Sequence, residues 1–310
     1  MDEANDGNYY TGDFPLSLNF YSLDANLKAS ITGHPDAPPM DTLSAVRFAR
    51  EAGFDAVDLT AYYVPGYESP LPESQILAHV RALREQILKL GLAVSGSGVS
   101  NDFVQPDEKS RLKDLERSKF WVRMAQQMGA PILRVFAGHP PSDIEELGWP
   151  AIVRSRLVPH LQELADFAQN YGILIGLQNH GDMMSSAEQI VQTITWVDRK
   201  NVGIVNDTGS FRPFGGSPLA YDWYQDIARA LPMTISFQVK ERPAGPNGEA
   251  RLDLPRFFRL LRQSSYRGFL PVEWLWPGDQ NPRQRNTPPL EDISLFLHQV
   301  RTAMKATAQA

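Results

Sequence analysis

Short apolar runs rich in β-branched residues alternate along this chain with longer stretches whose apolar positions recur at helical spacing. The runs predict strands at 16–23, 56–61, 92–96, 132–136, 173–178, 202–207, 235–240 and 269–274. The amphipathic stretches between and after them predict helices at 42–52, 73–90, 108–128, 151–170, 186–197, 219–230, 254–264 and 290–303. Gly53, Gly91, Gly129, Gly172 and Gly268 each fall between a predicted helix and the next strand, where a left-handed residue stops a helix. Ser185 and Ser186 stand ahead of Glu188 and a helical run, as a capping sequence does.

Strands that alternate strictly with helices are parallel and joined by crossover helices. Eight such units predict a single α/β domain, a (β/α)8 barrel spanning 1–310 with a polar extension at about 1–14. An open doubly wound sheet is the alternative. The proline-rich tracts 34–40 and 276–289 follow strands one and eight and read as long βα loops.

The chain has 310 residues against about 250 for a typical barrel. With 42% hydrophobic residues it can fill a large core. A net charge of −6 argues against a nucleic-acid partner, which calls for a basic face. No apolar stretch reaches membrane-span length, so no membrane partner is expected. The absence of cysteine excludes disulfides and thiolate chemistry and, with no leader pattern at the amino terminus, leads to the expectation of a cytoplasmic protein.

A barrel directs the carboxyl ends of its strands at the catalytic mouth. Four consecutive strands end in polar groups there: Gln178-Asn179-His180, Asn206-Asp207, Gln238 with Lys240, and Glu273-Trp274. Polar side chains embedded in strands are costly unless partnered, so their recurrence points to convergence. Oxygen ligands suit a hard divalent cation, Mn2+ or Mg2+, whose charge Asp207 and Glu273 would offset. His180 suits a hydrogen-bonding or acid role better than ligation; Lys240 could polarise a carbonyl or hold an anion. Arg134, in an otherwise apolar strand, has the fork geometry for a carboxylate. Asn101, Tyr62 and Tyr63 sit in loops suited to substrate contact, and Trp274 and Trp276 could stack on a sugar face.

From "FAREAGFDAVDL" through "MAQQMGAPILRVFAG", "IGLQNHGD", "NDTGSF", "FQVKE" and "LPVEW", the chain resembles the xylose-isomerase-like sugar isomerase/epimerase superfamily of TIM barrels. The resemblance implies a divalent metal held at Gln178, Asp207, Gln238 and Glu273, with two departures from the family pattern. Gln238 stands where a histidine is commoner. Gln178 replaces a glutamate that, in the epimerases, is both ligand and acid/base, which leaves Glu273 alone of that pair.

The expected activity is metal-assisted enolate-type chemistry on a small sugar, keto-sugar or sugar acid, with the cation polarising the substrate carbonyl. Glu273 is the expected base, with His180 or Lys240 as acid partner, and Arg134, Asn179, Asn101 and Trp274 as substrate contacts. Isomerase or epimerase leads. A lyase (a decarboxylase or β-eliminating dehydratase) needs the same enolate stabilisation without opposed bases. A carbohydrate-binding barrel without catalysis is a further alternative, motivated by Gln178. The abasic-site nucleases that share the barrel use histidine-rich sites, which the six histidines here do not form. Pairing through the barrel rims would make a homo-oligomer.

Overall fold

The computed structural model describes residues 9–33, 37–180, 183–212, 222–241, 251–276 and 287–308. Strands β1 (Leu16–Asn19), β2 (Ala56–Thr60), β3 (Ala93–Gly98), β4 (Ile132–Val135), β5 (Leu174–Gln178), β6 (Val202–Asp207), β7 (Thr234–Lys240) and β8 (Leu270–Glu273) pair in chain order and in parallel. The sheet closes where Leu16, Ser17 and Leu18 pair with Leu270, Pro271 and Val272. That closure decides for the predicted (β/α)8 TIM barrel and against the open sheet.

Period-two alternation sorts the strand residues onto an outer and an inner face. Leu16, Leu18, Val57, Leu59, Leu133, Val135, Ile175, Leu177, Phe237, Val239, Leu270 and Val272 are buried and belong to one continuous apolar core. Between them fall residues such as Ser17, Asn19, Asp58, Arg134, Gln178, Gln238, Lys240 and Glu273, which turn toward the barrel axis. The outer layer comprises α1 (Asp24–Thr32), α2 (Thr42–Ala52), α3 (Glu73–Lys89), α4 (Glu108–Met128), the short α5 (Ile144–Leu147) and α6 (Trp149–Ile152), α7 (Val158–Gln169), α8 (Ala187–Val197), α9 (Trp223–Ala230), α10 (Leu254–Arg262) and α11 (Leu290–Ala308). Helix α8 starts with a capping box between Ser186 and Gln189, one residue beyond the Glu188 of the sequence pattern.

Gly53, Gly91, Gly129 and Gly172 take the left-handed conformation as expected, with φ of 92°, 67°, 80° and 67°. Gly268 does not; it is needed for space, because a Cβ there would lie 2.6 Å from the Tyr266 hydroxyl.

Three elements differ from the pattern. The run 16–23 is a strand only to Asn19, and Phe20–Leu23 turns into a 3-10 helix leading to the unpredicted α1. The helix expected at 151–170 contains a π-helical stretch, Val153–Leu157, just ahead of Pro159, whose missing N–H removes a regular helical bond. The amino-terminal part of the helix expected at 219–230 lies outside the described residues, as do parts of the two proline-rich loops.

At the amino-terminal end of the barrel, the fully buried Arg262 ties the chain before β1 to the last helix. Its guanidinium donates to the carbonyl of Gly12 (2.9 Å), to the carbonyl of Met304 (2.6 Å) and to the Thr307 hydroxyl (3.2 Å). The opposite end is left open for a site.

Candidate active site

At the carboxyl ends of the strands lies a cavity of about 520 Å³. Asn19, Arg134, Gln178, Gln238, Lys240 and Glu273 form its floor, with Tyr62, Asn101, Phe136 and His180 higher on the wall. These residues come from seven of the eight strands or from the loops directly after them.

The floor is a connected polar network. Lys240 reaches back from the end of β7 to place Nζ 2.8 Å from Asp207 Oδ2 and 3.4 Å from Glu273 Oε1. Gln178 Nε2 donates to the same Asp207 oxygen at 2.7 Å, and the Ser210 hydroxyl donates to it at 2.9 Å. Asp207 Oδ1 accepts the Gly209 amide at 2.9 Å. Asn19, from β1, donates to Glu273 Oε2 at 3.1 Å and to Gln238 Oε1. Buried polar groups are tolerated when partnered in this way, and losing one partner exposes the cost of the others.

Electrostatics separates the two carboxylates. Burial pushes both up; at Asp207 the adjacent Lys240 ammonium, His180 and the Gly209 amide outweigh it and hold the group below the usual carboxylate range. At Glu273 burial wins, assisted by the negative charge of Asp207, and the carboxyl stays above its ordinary value despite Lys240. Burial opposes a charge on Lys240, but the two carboxylates overcome it and raise its pKa. The ammonium therefore stays charged, while Glu273 is the more basic carboxylate of the pair.

Beside this network Arg134 lies flat across Gly98. A Cβ on Gly98 would come within 2.7 Å of the guanidinium carbon, so only glycine leaves room. Arg134 donates to the Val99 carbonyl at 2.6 Å, and its guanidinium sits 4.1 Å from the Phe136 ring centre and 5.5 Å from that of Tyr62. Below it Asp58 is pushed up to about 6 by burial, which outweighs the pull of Arg134 and of a Ser95 hydrogen bond.

Not every residue picked from the sequence faces the cavity. Asn179 is fully buried, and its amide clasps the backbone of Asp207 (3.0 and 2.8 Å), tying β5 to β6. Trp274 packs against Trp276 with ring centres 5.1 Å apart and is not part of the lining. Asp207 is 0% exposed and acts from behind Lys240 and Gln178. Asn101 does line the cavity, but its amide also bonds both backbone groups of Phe136 (2.7 and 2.9 Å). His180 is exposed at the mouth, its ring 4.5 Å from that of Phe136. Asn19 and Asp58 were not picked from the sequence. Asn19 lies inside an apolar run, whereas Asp58 carried a signal: it is a charge in the middle of the strand Ala-Val-Asp-Leu-Thr.

The expected Mn2+ or Mg2+ ligands Gln178, Asp207, Gln238 and Glu273 do converge, yet as a donor set they do not fit a divalent cation. An ammonium already bridges the two carboxylates. Gln178 presents its N–H to Asp207, and the Gln238 oxygen is taken by Asn19. Among the described residues no group of three or more His, Cys, Asp or Glu side chains is placed to hold a metal ion.

Residues 46–296 match the model of the xylose isomerase-like TIM barrel family. The fructoselysine 3-epimerase of Shigella flexneri is 22% identical over 246 residues, covering 77% of this chain and 87% of that protein. Among solved structures, the D-psicose 3-epimerase of Clostridium cellulolyticum superposes with a TM-score of 0.72 at 13% identity, covering 94% of this chain and 99% of the other. A xylose isomerase-like TIM barrel protein from Mycobacterium smegmatis in complex with magnesium gives a TM-score of 0.63 at 20% identity, covering 97% and 99%. With most of its length matched by the family model and the barrel closed in chain order, the chain belongs to the xylose isomerase-like TIM barrel family.

Proposed function

We propose that this protein is a sugar isomerase or epimerase acting on a small keto-sugar or sugar acid by moving a proton at the carbon beside a carbonyl. The observation that carries the reading is the pairing, on the cavity floor, of a basic carboxylate with a fixed ammonium: Glu273 and Lys240, 3.4 Å apart. Glu273 would take the proton from the carbon; a carboxylate raised by burial is a stronger base at neutral pH. The electron pair moves onto the carbonyl oxygen, and a preorganised positive charge next to that oxygen lowers the barrel's barrier for the step. Glu273 then delivers the proton on the same face to the former carbonyl carbon, while the hydroxyl on the first carbon passes its proton to the enolate oxygen.

Glu273 is the one carboxylate lining the cavity floor among the described residues, because Asp207 is sealed behind the network. That supports isomerisation, in which one group can remove and return the proton on a single face. Epimerisation requires a donor opposite, for which His180 at the mouth is the candidate. Arg134 suits a substrate carboxylate or other anionic group. The relatives named as epimerases of fructoselysine and D-psicose agree with a polyhydroxylated ketone as the substrate class.

The test is a panel of ketoses, aldoses and keto-sugar acids followed by NMR, with wild type beside Glu273→Gln. Conversion to an isomer or epimer is expected for wild type, with a loss of about 10²-fold or more in the variant. Carbohydrate binding of unchanged affinity in both proteins, with no turnover in either, would overturn the reading in favour of a non-catalytic barrel.

A further inference from the structure

The centre of the strand-end cluster is already filled by a positive charge. Alternation along β7 puts Ser236, Gln238 and Lys240 on one face of the strand, and the long stem of Lys240 lets its ammonium fold back between Asp207 and Glu273. Its side chain is only 12% exposed, and the two carboxylates it bridges are buried. Two of its three N–H bonds serve those carboxylates, which leaves one for an oxygen in the cavity.

The surrounding groups are arranged for that ammonium. Gln178 turns its N–H toward Asp207, so the amide shares the carboxylate with Lys240 and withholds its own oxygen from the centre. Asn19 occupies the oxygen of Gln238 and one oxygen of Glu273. The cluster carries two negative charges and one positive charge. A divalent cation would have to expel the ammonium and then find its remaining ligands among neutral amides already committed to one another.

We propose that Lys240 takes the place of a divalent cation in this barrel, so that the site works without metal and the ammonium itself faces the oxygen of the substrate carbonyl. In the proton transfer described above, the C–H pair moves into the new C=C bond and the carbonyl π pair onto oxygen, whose charge Lys240 balances. For isomerisation, Glu273 delivers the proton to the former carbonyl carbon and the C=C pair becomes the new C–H bond. The hydroxyl on the carbon that lost the proton passes its own proton to the enolate oxygen as its C=O forms, so nothing is consumed and no co-reactant is required. The catalytic half of this inference rests on the proposed isomerase or epimerase activity; the exchange of metal for ammonium does not.

The experiment measures divalent metal by elemental analysis and Mn2+ binding by calorimetry and melting temperature. It compares EDTA-treated wild type with Lys240→Met, and with Lys240→Gln as a second variant that keeps polarity should the first not fold. Wild type is expected to carry no stoichiometric metal, to show no Tm change with millimolar Mn2+, and to be as active with EDTA as without. The variants, freed of the ammonium, are expected to bind Mn2+, with a Tm rise of about 5 °C when Mn2+ is about a hundredfold above its Kd. A wild type that holds one equivalent of metal, or loses Tm on EDTA treatment, overturns the proposal. Folded variants that gain no Mn2+ binding overturn it too, because Lys240 would not then be occupying a cation position. If no substrate is ever found, the proposed reaction fails while the metal result stands; if wild type binds metal, this inference fails while the reaction stands.

Discussion

Replacing Lys240 by methionine removes the charge between two buried carboxylates while keeping most of the side-chain volume. At the observed 2.8 and 3.4 Å the two attractions are about 6 and about 5 kcal/mol with an effective dielectric constant of about 20. Desolvation of three ions offsets most of this, so the gross sum is not the cost. A tighter bound comes from proton uptake. Without Lys240 the protein can escape the clash of charges by protonating Glu273, whose ordinary pKa is 4.5. Holding that proton costs about 1.4 kcal/mol per pH unit above it, or about 3.4 kcal/mol at pH 7 and about 4.8 kcal/mol at pH 8. The range matches the roughly 3–5 kcal/mol seen when one partner of a buried ion pair is deleted. The sign follows from Glu273 having a pKa raised further above its unfolded value in the variant. The variant's stability is retained below about pH 4.5 and lost as the pH rises toward the folded value. Urea denaturation with EDTA at pH 5, 7 and 8 should show a deficit that is small at pH 5 and grows through pH 7 to 8. A deficit below about 1 kcal/mol, or one that does not change with pH, would show that Lys240 does not neutralise this pair.

Other expectations follow from the neighbouring floor. Gly98→Ala would drive a methyl into the Arg134 guanidinium, so KM for a carboxylated substrate should rise about tenfold while an uncharged ketose is little affected; steady-state kinetics on both distinguishes them. Asp58, with a folded pKa of about 6 against an ordinary 3.8, should favour the folded state by about 2.4 kcal/mol at pH 4 relative to pH 8, a contribution lost as pH rises through 6. Asp58→Asn should remove that part of the pH dependence, as seen in denaturation curves across the same range; an unchanged slope would contradict the buried titration.

Much of this was legible in the sequence because a barrel repeats one physical rule eight times. Runs of Leu, Ile and Val betray the face of each strand that meets the helices, and the polar residues at 178, 207, 238, 240 and 273 mark its catalytic end. Alternation would also have sorted neighbours: if Gln178 and Glu273 face the axis, Asn179 and Trp274 must turn away, and they do. Asn19 was hidden because Phe20 and Leu23 extend the apolar run past the true strand end. Helix α1 was missed because Asp24–Thr32 has no strong apolar stripe, with only Asn26, Leu27 and Ala29 buried. The pairing of Lys240 with both carboxylates was not readable at all, since Lys240 at a strand end serves equally well as a rim salt bridge until the neighbouring strands are in place.

The proton transfer at the heart of the proposed activity is tested most directly by exchange in D2O, with NMR following the hydrogen on the carbon beside the carbonyl of a converted sugar. Wild type should introduce deuterium at that carbon, and Glu273→Gln should slow both exchange and conversion by about 10²-fold or more while still binding the sugar. Exchange and conversion that continue unchanged in Glu273→Gln would remove Glu273 as the base and, with it, the central role assigned to the Glu273–Lys240 pair.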